Sequence, residues 1–365
     1  MSEFPAMVSF VSKDVSAKFA NMSFVCACLV VFIHVGVECA TGTLGWWLQQ
    51  MSTHVGVTRI AVPFFFYAAG YFLAGSMCAG SGWYKKASTK RCVTLLVPYF
   101  LWNGIYLGYI ALMACASTRF GYQFHIPIPA CSNAVDLIKA LGFNPLASSA
   151  HSHLWFIRCL FLLVLLSPVA KFAAKCINSP LAILALYLLI GLPMSYLVEG
   201  SYMYWLFNWS LSPEGLFYFY VGIVLRLLPN AYRRFTRFGT LSLFAGVLLF
   251  LARVCVLVEF NNRLASFWLT WIATPLTMFG VWTLMPTKPL WGNVRSYPFP
   301  IYILHQFVLV AMAGMFGMIG LREVVNHSIV LYFVRGGLAI TLCVLVVAIA
   351  RRLVPKFTSV AFGGR

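Results

Sequence analysis

A histidine and a glutamate at the end of one apolar stretch are the residues best suited to chemistry. His34 directly follows the apolar run at 29–33, whose side chains cannot hydrogen-bond an imidazole. Ionisable groups are costly in such a stretch and indicate function by default. If the stretch is helical, Glu38 lies one turn later on the same face and would orient His34 as a general base. The alternative is a histidine bonded to a neighbouring helix, with Glu38 at a solvated helix end.

Four arginines near the ends of other apolar stretches form a second candidate set. They are Arg59, Arg158, Arg253 and Arg335. Together with Glu38, Glu214 and Glu259 they would line a polar chamber, if the fold brings them together. The alternative is that each arginine reaches the membrane interface separately, because its long side chain can extend to water from within a span.

A cationic cluster separates the second and third apolar stretches. It consists of Lys85, Lys86, Lys90 and Arg91 and is suited to the phosphates of a nucleotide-like donor, although membrane topology alone also explains it. No Walker loop, GxSxG elbow or HExxH occurs. Cys26 and Cys28 are two residues apart and point to different helix faces. We therefore expect no metal site and no tightly bound cofactor.

The composition indicates that these candidates belong to a membrane protein. Of the 365 residues, 61% are hydrophobic and only 9% are charged, and the mean hydropathy is +0.87. Soluble domains carry roughly a quarter charged residues. The apolar stretches run nearly end to end and leave no room for a soluble domain. The sequence predicts a single all-α, polytopic membrane domain over residues 1–365, embedded in the lipid bilayer.

Ten apolar stretches have the length of a membrane-spanning helix, about 17 to 25 residues. They lie near residues 19–37, 59–79, 93–115, 152–172, 181–199, 212–228, 239–258, 265–285, 298–318 and 327–349. The sequence therefore predicts about ten transmembrane helices, preceded by a segment at 1–18 and followed by a tail at 350–365.

The basic residues alternate along the connections between these stretches. Lys and Arg concentrate in the segment at 1–18, in alternate loops and in the tail at 350–365, whereas the other loops hold most of the acids. Because positive loops stay in the cytoplasm, both termini are predicted to be cytoplasmic, in an inner membrane. The net charge of +18 follows from this pattern. No basic arm or face predicts nucleic-acid binding.

Five stretches resemble the integral membrane acyltransferase-3 family, across nearly the whole chain. The first two are Phe24 to His34, which ends Leu-Val-Val-Phe-Ile-His34, and Arg59-Ile-Ala-Val-Pro-Phe-Phe-Phe-Tyr-Ala-Ala-Gly-Tyr71. The other three are Lys90-Arg91-Cys-Val-Thr-Leu-Leu-Val-Pro-Tyr99-Phe-Leu-Trp102, His153-Leu-Trp155-Phe-Ile-Arg158 and Tyr302-Ile-Leu-His305. Each is short, and their order and spacing carry the resemblance.

The resemblance implies a transferase that moves an acyl group, expected to be acetyl, from cytoplasmic acyl-CoA to an extracytoplasmic hydroxyl acceptor such as a cell-envelope glycan. His34 would deprotonate the acceptor or first take the acyl group itself, oriented by Glu38. The expected donor-binding residues are Lys85, Lys86, Lys90, Arg91, Tyr99 and His305. The expected acceptor-binding residues are Arg59, Arg158, Arg253, Arg335 and Trp155. For His305 a structural role is the alternative, and for His153 an interfacial aromatic belt.

Three positions depart from the family pattern. Ser23 stands where many members carry Arg or Lys, Thr94 replaces the second arginine of an Arg-x-x-Arg, and Ala69 replaces a serine before the glycine of the second helix. These departures keep open a non-catalytic, acyltransferase-like sensor. A transporter of a small polar or anionic solute is the other alternative, although the sequence indicates neither inverted repeats nor broken helices.

Overall fold

The computed structural model describes residues 11–52, 56–78, 80–120, 134–143, 152–177, 179–196, 212–227 and 238–364. These residues form an all-α fold, and no strand occurs among them, which confirms the predicted class. The first ten residues of the predicted N-terminal segment lie outside the described residues.

The described residues contain α-helices that we number α1 to α16. They are α1 Lys13–His34, α2 Leu44–Ser52, α3 Ala61–Met77, α4 Trp83–Arg91, α5 Val97–Phe120, α6 Ala134–Ile138, α7 Trp155–Leu165, α8 Ser167–Cys176, α9 Pro180–Tyr196, α10 Pro213–Leu227, α11 Gly239–Phe260, α12 Arg263–Leu284, α13 Pro298–Met318, α14 Arg322–Asn326, α15 Ile329–Leu353 and α16 Pro355–Ala361.

Many of these helices are apolar and long enough to cross a membrane. In the described part of the chain seven segments qualify, and an eighth does if α7 and α8 form one broken span. Their axes differ by 63°, and Pro168 at the start of α8 explains the break, since proline lacks the N–H that a continuous helix needs. The prediction that the chain has no broken helix is therefore wrong for this pair. The chain is thus a multi-pass membrane protein. The total of ten spans and the cytoplasmic termini remain predictions.

Helix α1 is fixed against the connection between α12 and α13 by one buried side chain. The Asn21 amide donates hydrogen bonds to the carbonyls of Pro286 at 3.0 Å and Lys288 at 2.8 Å, and its oxygen accepts one from the Leu290 N–H at 2.9 Å. Since a buried amide is costly unless its bonds are made, this contact sets the position of α1 beside α13.

Helices α3 and α10 pack with their backbones in close approach. A side chain at Gly222 would overlap the backbone carbonyl of Tyr67, and one at Gly70 would overlap that of Phe219. Small residues permit such contacts between membrane helices, where dispersion forces and not the hydrophobic effect drive association. The pair gives α3 a rigid support on one side.

Candidate active site

Three histidines from distant parts of the chain form one cluster. The Nε2 atom of His153 lies 3.2 Å from Nδ1 of His34. The ring centroid of His34 lies 4.0 Å from that of His153 and 5.2 Å from that of His305, and the His153 and His305 rings are 5.5 Å apart. One ring nitrogen of each residue lies within 4.8 Å of the other two.

Each histidine is positioned by a different element. His34 is the last residue of α1 and is exposed. His153 lies in a 3₁₀ turn, Ser152–Leu154, directly before α7, and its carbonyl accepts a hydrogen bond from the Tyr302 hydroxyl. His305 is fully buried in α13, two turns from the start of that helix.

The prediction that His34 is a central residue of a site is consistent with this cluster, but its expected partner is different. Helix α1 ends at His34, and Val35 is already extended at φ −76° and ψ 109°. Glu38 is therefore not one helical turn later; it is exposed, and its N–H donates to the Asn326 carbonyl at 2.7 Å. The assumption that Glu38 shares a helical face with His34 was wrong, because it required the helix to continue.

His153 is the partner that the sequence reasoning missed. Its place beside Trp155 at a helix start favoured an interfacial belt. The available signal was its position in a stretch that resembles a known family, five residues before the buried Arg158. Nothing local indicates the contact with His34, since 119 residues separate the two in the chain.

A mostly apolar cavity lies next to the histidine cluster. Its volume is about 280 Å³, at the small end of the range for ligand pockets. Tyr302 and Phe156 line it, and Tyr302 is also the residue whose hydroxyl binds the backbone of His153. The Tyr302 ring thus lies between the cavity and the cluster, with its centroid 6.2 Å from that of His305.

Two arginines contribute the charge of this cavity. Arg91 and Arg295 both line it, together with Ser23 and Ala69. No acidic side chain lines the cavity, and no ion pair involves either arginine within the described ranges. A cavity with apolar walls and cations without acidic partners is suited to an amphipathic anion. Two of the three positions that depart from the family pattern, Ser23 and Ala69, thus line this cavity. Arg295 lines the same cavity and supplies a cation there, although position 23 is a serine.

The other expected donor-binding residues are divided among three places. Lys85, Lys86 and Lys90 are exposed on α4, near Arg91. Tyr99 is buried in α5 and is not among the cavity-lining residues. His305 lies beside His34. Arg295 was missed because the positive-inside pattern already accounted for it.

The expected acceptor-binding residues do not all converge. Arg59 forms an ion pair with Glu214 at 2.9 Å. The Arg253 Nε donates to the Ser266 hydroxyl at 3.1 Å, and Arg335 donates to the carbonyl of Gly36, two residues after His34. Arg158 is buried in α7, where Trp155 is half-buried. Of these, Arg335 has a contact next to the end of α1, whereas Arg59 and Arg253 bond to side chains of other segments.

A match to a known protein family covers almost the whole chain. A family model described as an acyltransferase domain matches residues 22–348. The chain belongs to the acyltransferase-3 family. As a multi-pass member of that family it is a membrane acyltransferase, and the matched range includes the three histidines and both arginines of the cavity.

One curated relative extends the comparison. This acyltransferase-3 protein is 26% identical over 371 residues to the succinoglycan biosynthesis protein ExoH of Rhizobium meliloti (strain 1021), and the alignment covers 96% of this chain and 93% of ExoH. No solved structure matches the chain at a significant level.

Proposed function

We propose that this protein transfers an acyl group, acetyl in the first instance, from acyl-CoA to a hydroxyl group of an extracytoplasmic glycan. The observation that carries the proposal is the cavity with Arg91 and Arg295 in its wall and the histidine cluster directly beyond Tyr302. An acyl-CoA has the matching parts: phosphates for the guanidinium groups and an acylated arm for the apolar walls.

The donor would enter from the cytoplasm, the side on which the positive-inside pattern predicts Arg91 and Arg295. At about 280 Å³ the cavity suits the thioester arm better than the nucleotide. The nucleotide would stay at the mouth, where Arg295 and Lys90 are exposed. Guanidinium groups bind phosphate through short, charge-assisted hydrogen bonds.

His34 would act as the general base. When its proton is on Nδ1 and donated to Nε2 of His153, its own Nε2 carries a lone pair. That nitrogen takes the proton of the acceptor hydroxyl as the acceptor oxygen bonds to the thioester carbonyl carbon. The carbon–sulfur bond then breaks, and the proton passes from His34 to the departing CoA thiolate. A route through acyl-His34 would use the same groups in two steps.

The acceptor would approach His34 from the extracytoplasmic side. His34 is exposed, whereas His305 behind it is fully buried. The name of ExoH assigns it to succinoglycan biosynthesis, which supports a glycan as the acceptor class. The same topology supports an inner-membrane location with cytoplasmic termini.

Acyl-CoA turnover in purified protein tests the proposal. Wild-type protein incubated with acetyl-CoA and a glycan acceptor should release free CoA thiol and acetylate the acceptor. His34→Ala should lower that rate by about 10²- to 10⁴-fold, the usual contribution of a general base. His327→Ala is the matched control, because His327 is exposed and, among the described residues, its side chain bonds to Glu323 of the neighbouring short helix and not to the cluster.

Two outcomes would contradict the proposal. Acetyl transfer by His34→Ala at the wild-type rate would show that His34 is not the general base. Solute uptake into vesicles without any thiol release, in wild-type protein, would favour a transporter in place of an acyltransferase that uses acyl-CoA.

A further inference from the structure

We propose that His34, His153 and His305 form a binding site for one divalent transition-metal cation of the Zn²⁺ type. We further infer that the bound cation inhibits acyl transfer, a consequence that rests on the proposed function. Among the described residues these three form a group whose ring nitrogens could hold a metal ion, all within 4.8 Å of one another.

The spacing of the nitrogens fits tetrahedral coordination. Zinc binds imidazole nitrogen at about 2.0–2.1 Å, so two ligands of a tetrahedral site are about 3.3 Å apart. The observed separation between Nδ1 of His34 and Nε2 of His153 is 3.2 Å. The third nitrogen lies at no more than 4.8 Å. Coordination would require the exposed His34 ring and the half-buried His153 ring to turn toward the buried His305.

His305 has the features of a prepared ligand. Its Nδ1 lies 3.2 Å from the Ile301 carbonyl, and because a carbonyl can only accept, the proton is on Nδ1. Its Nε2 is therefore unprotonated, and it is fully buried with no hydrogen-bond partner among the described residues. A buried polar atom without a partner is costly, and metal-bound histidines commonly donate their second N–H to a carbonyl in this way.

The ligand types select the class of cation. Nitrogen ligands suit Zn²⁺, Co²⁺ and Ni²⁺, whereas Mg²⁺ and Ca²⁺ require oxygen. No carboxylate belongs to the group in the described residues. We therefore expect Zn²⁺ to bind and Mg²⁺ not to bind, with a fourth coordination position left for water.

Metal binding and general-base catalysis by His34 exclude each other. If the cation takes Nδ1 of His34, the single proton of the neutral ring must sit on Nε2, the atom that would accept the acceptor's proton. If the cation binds Nε2, the lone pair that would accept the proton forms the bond to the metal instead. Either geometry leaves His34 without a free lone pair, so bound Zn²⁺ should inhibit.

Calorimetric titration of the full-length, EDTA-treated protein in detergent tests the site without any substrate. Zn²⁺ should bind with a stoichiometry of one, and Mg²⁺ should produce no binding heat. His153→Leu should bind Zn²⁺ at least about tenfold more weakly, because losing even an outer-shell partner of a metal ligand costs 10- to 100-fold. His327→Ala, which removes an exposed histidine outside the cluster, should bind Zn²⁺ as wild type does.

The outcomes separate the metal site from the enzyme function. Equal Zn²⁺ affinity in wild type and in a folded His153→Leu variant, checked by its thermal unfolding curve, would overturn the site. Co²⁺ in place of Zn²⁺ provides a second readout, since its visible absorption should report nitrogen coordination in wild type and lose intensity in His153→Leu. Zn²⁺ binding with undiminished thiol release would overturn the proposed inhibition but not the metal site. Thiol release by a protein that does not bind Zn²⁺ would overturn the metal site and leave the proposed acyltransferase function standing.

Discussion

The Nε2 atom of His153 lies 3.2 Å from Nδ1 of His34, although 119 residues separate the two in the chain. The contact joins the end of α1 to the turn before α7. It gives the imidazole of His34 a second imidazole as a hydrogen-bond partner, whereas Glu38 lies beyond the end of the helix. The tautomer of His34 that carries its proton on Nδ1 and leaves Nε2 unprotonated is favoured when His153 accepts that hydrogen bond.

Replacing His153 by leucine should lower kcat by about 10- to 100-fold, since part of the general-base contribution of His34 depends on its orientation. The KM for acyl-CoA should stay within about twofold, because His153 does not line the cavity and an interaction that acts only in the transition state changes kcat and not KM. Steady-state thiol release measures both constants.

His153→Gln separates positioning from mere packing. Its amide oxygen can accept the His34 proton, so it should recover part of the lost kcat. Equal kcat values for the Leu and Gln variants would argue against a positioning role.

Glu38→Gln should lower kcat less than about threefold. The carboxylate is exposed, and exposed charges are largely screened, contributing on the order of 1 kcal/mol or less. The measurement is kcat of the variant beside that of His153→Leu. A larger loss in Glu38→Gln than in His153→Leu would restore the carboxylate as the partner of His34.

Arg91→Met and Arg295→Met should each raise the KM for acyl-CoA by about tenfold or more, since a hydrogen bond to a charged group is worth about 1.5–3 kcal/mol. Their kcat should change little, because the guanidinium groups would hold the phosphates and not the reacting atoms. Arg352→Met is the control: it removes an exposed guanidinium at the end of α15, and Arg352 belongs to neither the cavity nor the expected donor-binding set. A lowered kcat with unchanged KM in both arginine variants would contradict the assignment.

Gly222→Ala should destabilise the fold by about 1–3 kcal/mol, the usual cost of overpacking. The added Cβ would overlap the Tyr67 carbonyl and would lie 2.7 Å from the Tyr71 nitrogen, and two backbones cannot yield as a side chain does. Gly104→Ala is the control, because nothing lies within 4 Å of its Cβ. Thermal unfolding in detergent compares the two, and equal midpoints would contradict the close packing of α3 and α10.

The sequence predicted the class of fold and the general position of the site. A composition with 9% charged residues excludes a soluble surface, and a helix is the only local structure in an apolar segment that satisfies its own backbone in lipid. His34 could be selected because an ionisable side chain in such a segment is exceptional. Arg91 could be selected from its charge and the short motif around it.

The partners of these residues were decided by the tertiary structure alone. Whether α1 continues past His34 determines if Glu38 shares its face, and the chain leaves the helix at Val35. His153, His305 and Arg295 reach the site through packing between helices that are far apart in the chain. Membrane helices pack through small residues and scattered polar contacts, such as those of Gly222 and Asn21, which leave no periodic signal in the sequence. The sequence therefore indicates which side chains are candidates for chemistry. The packing of the helices determines which of those side chains lie together in one site.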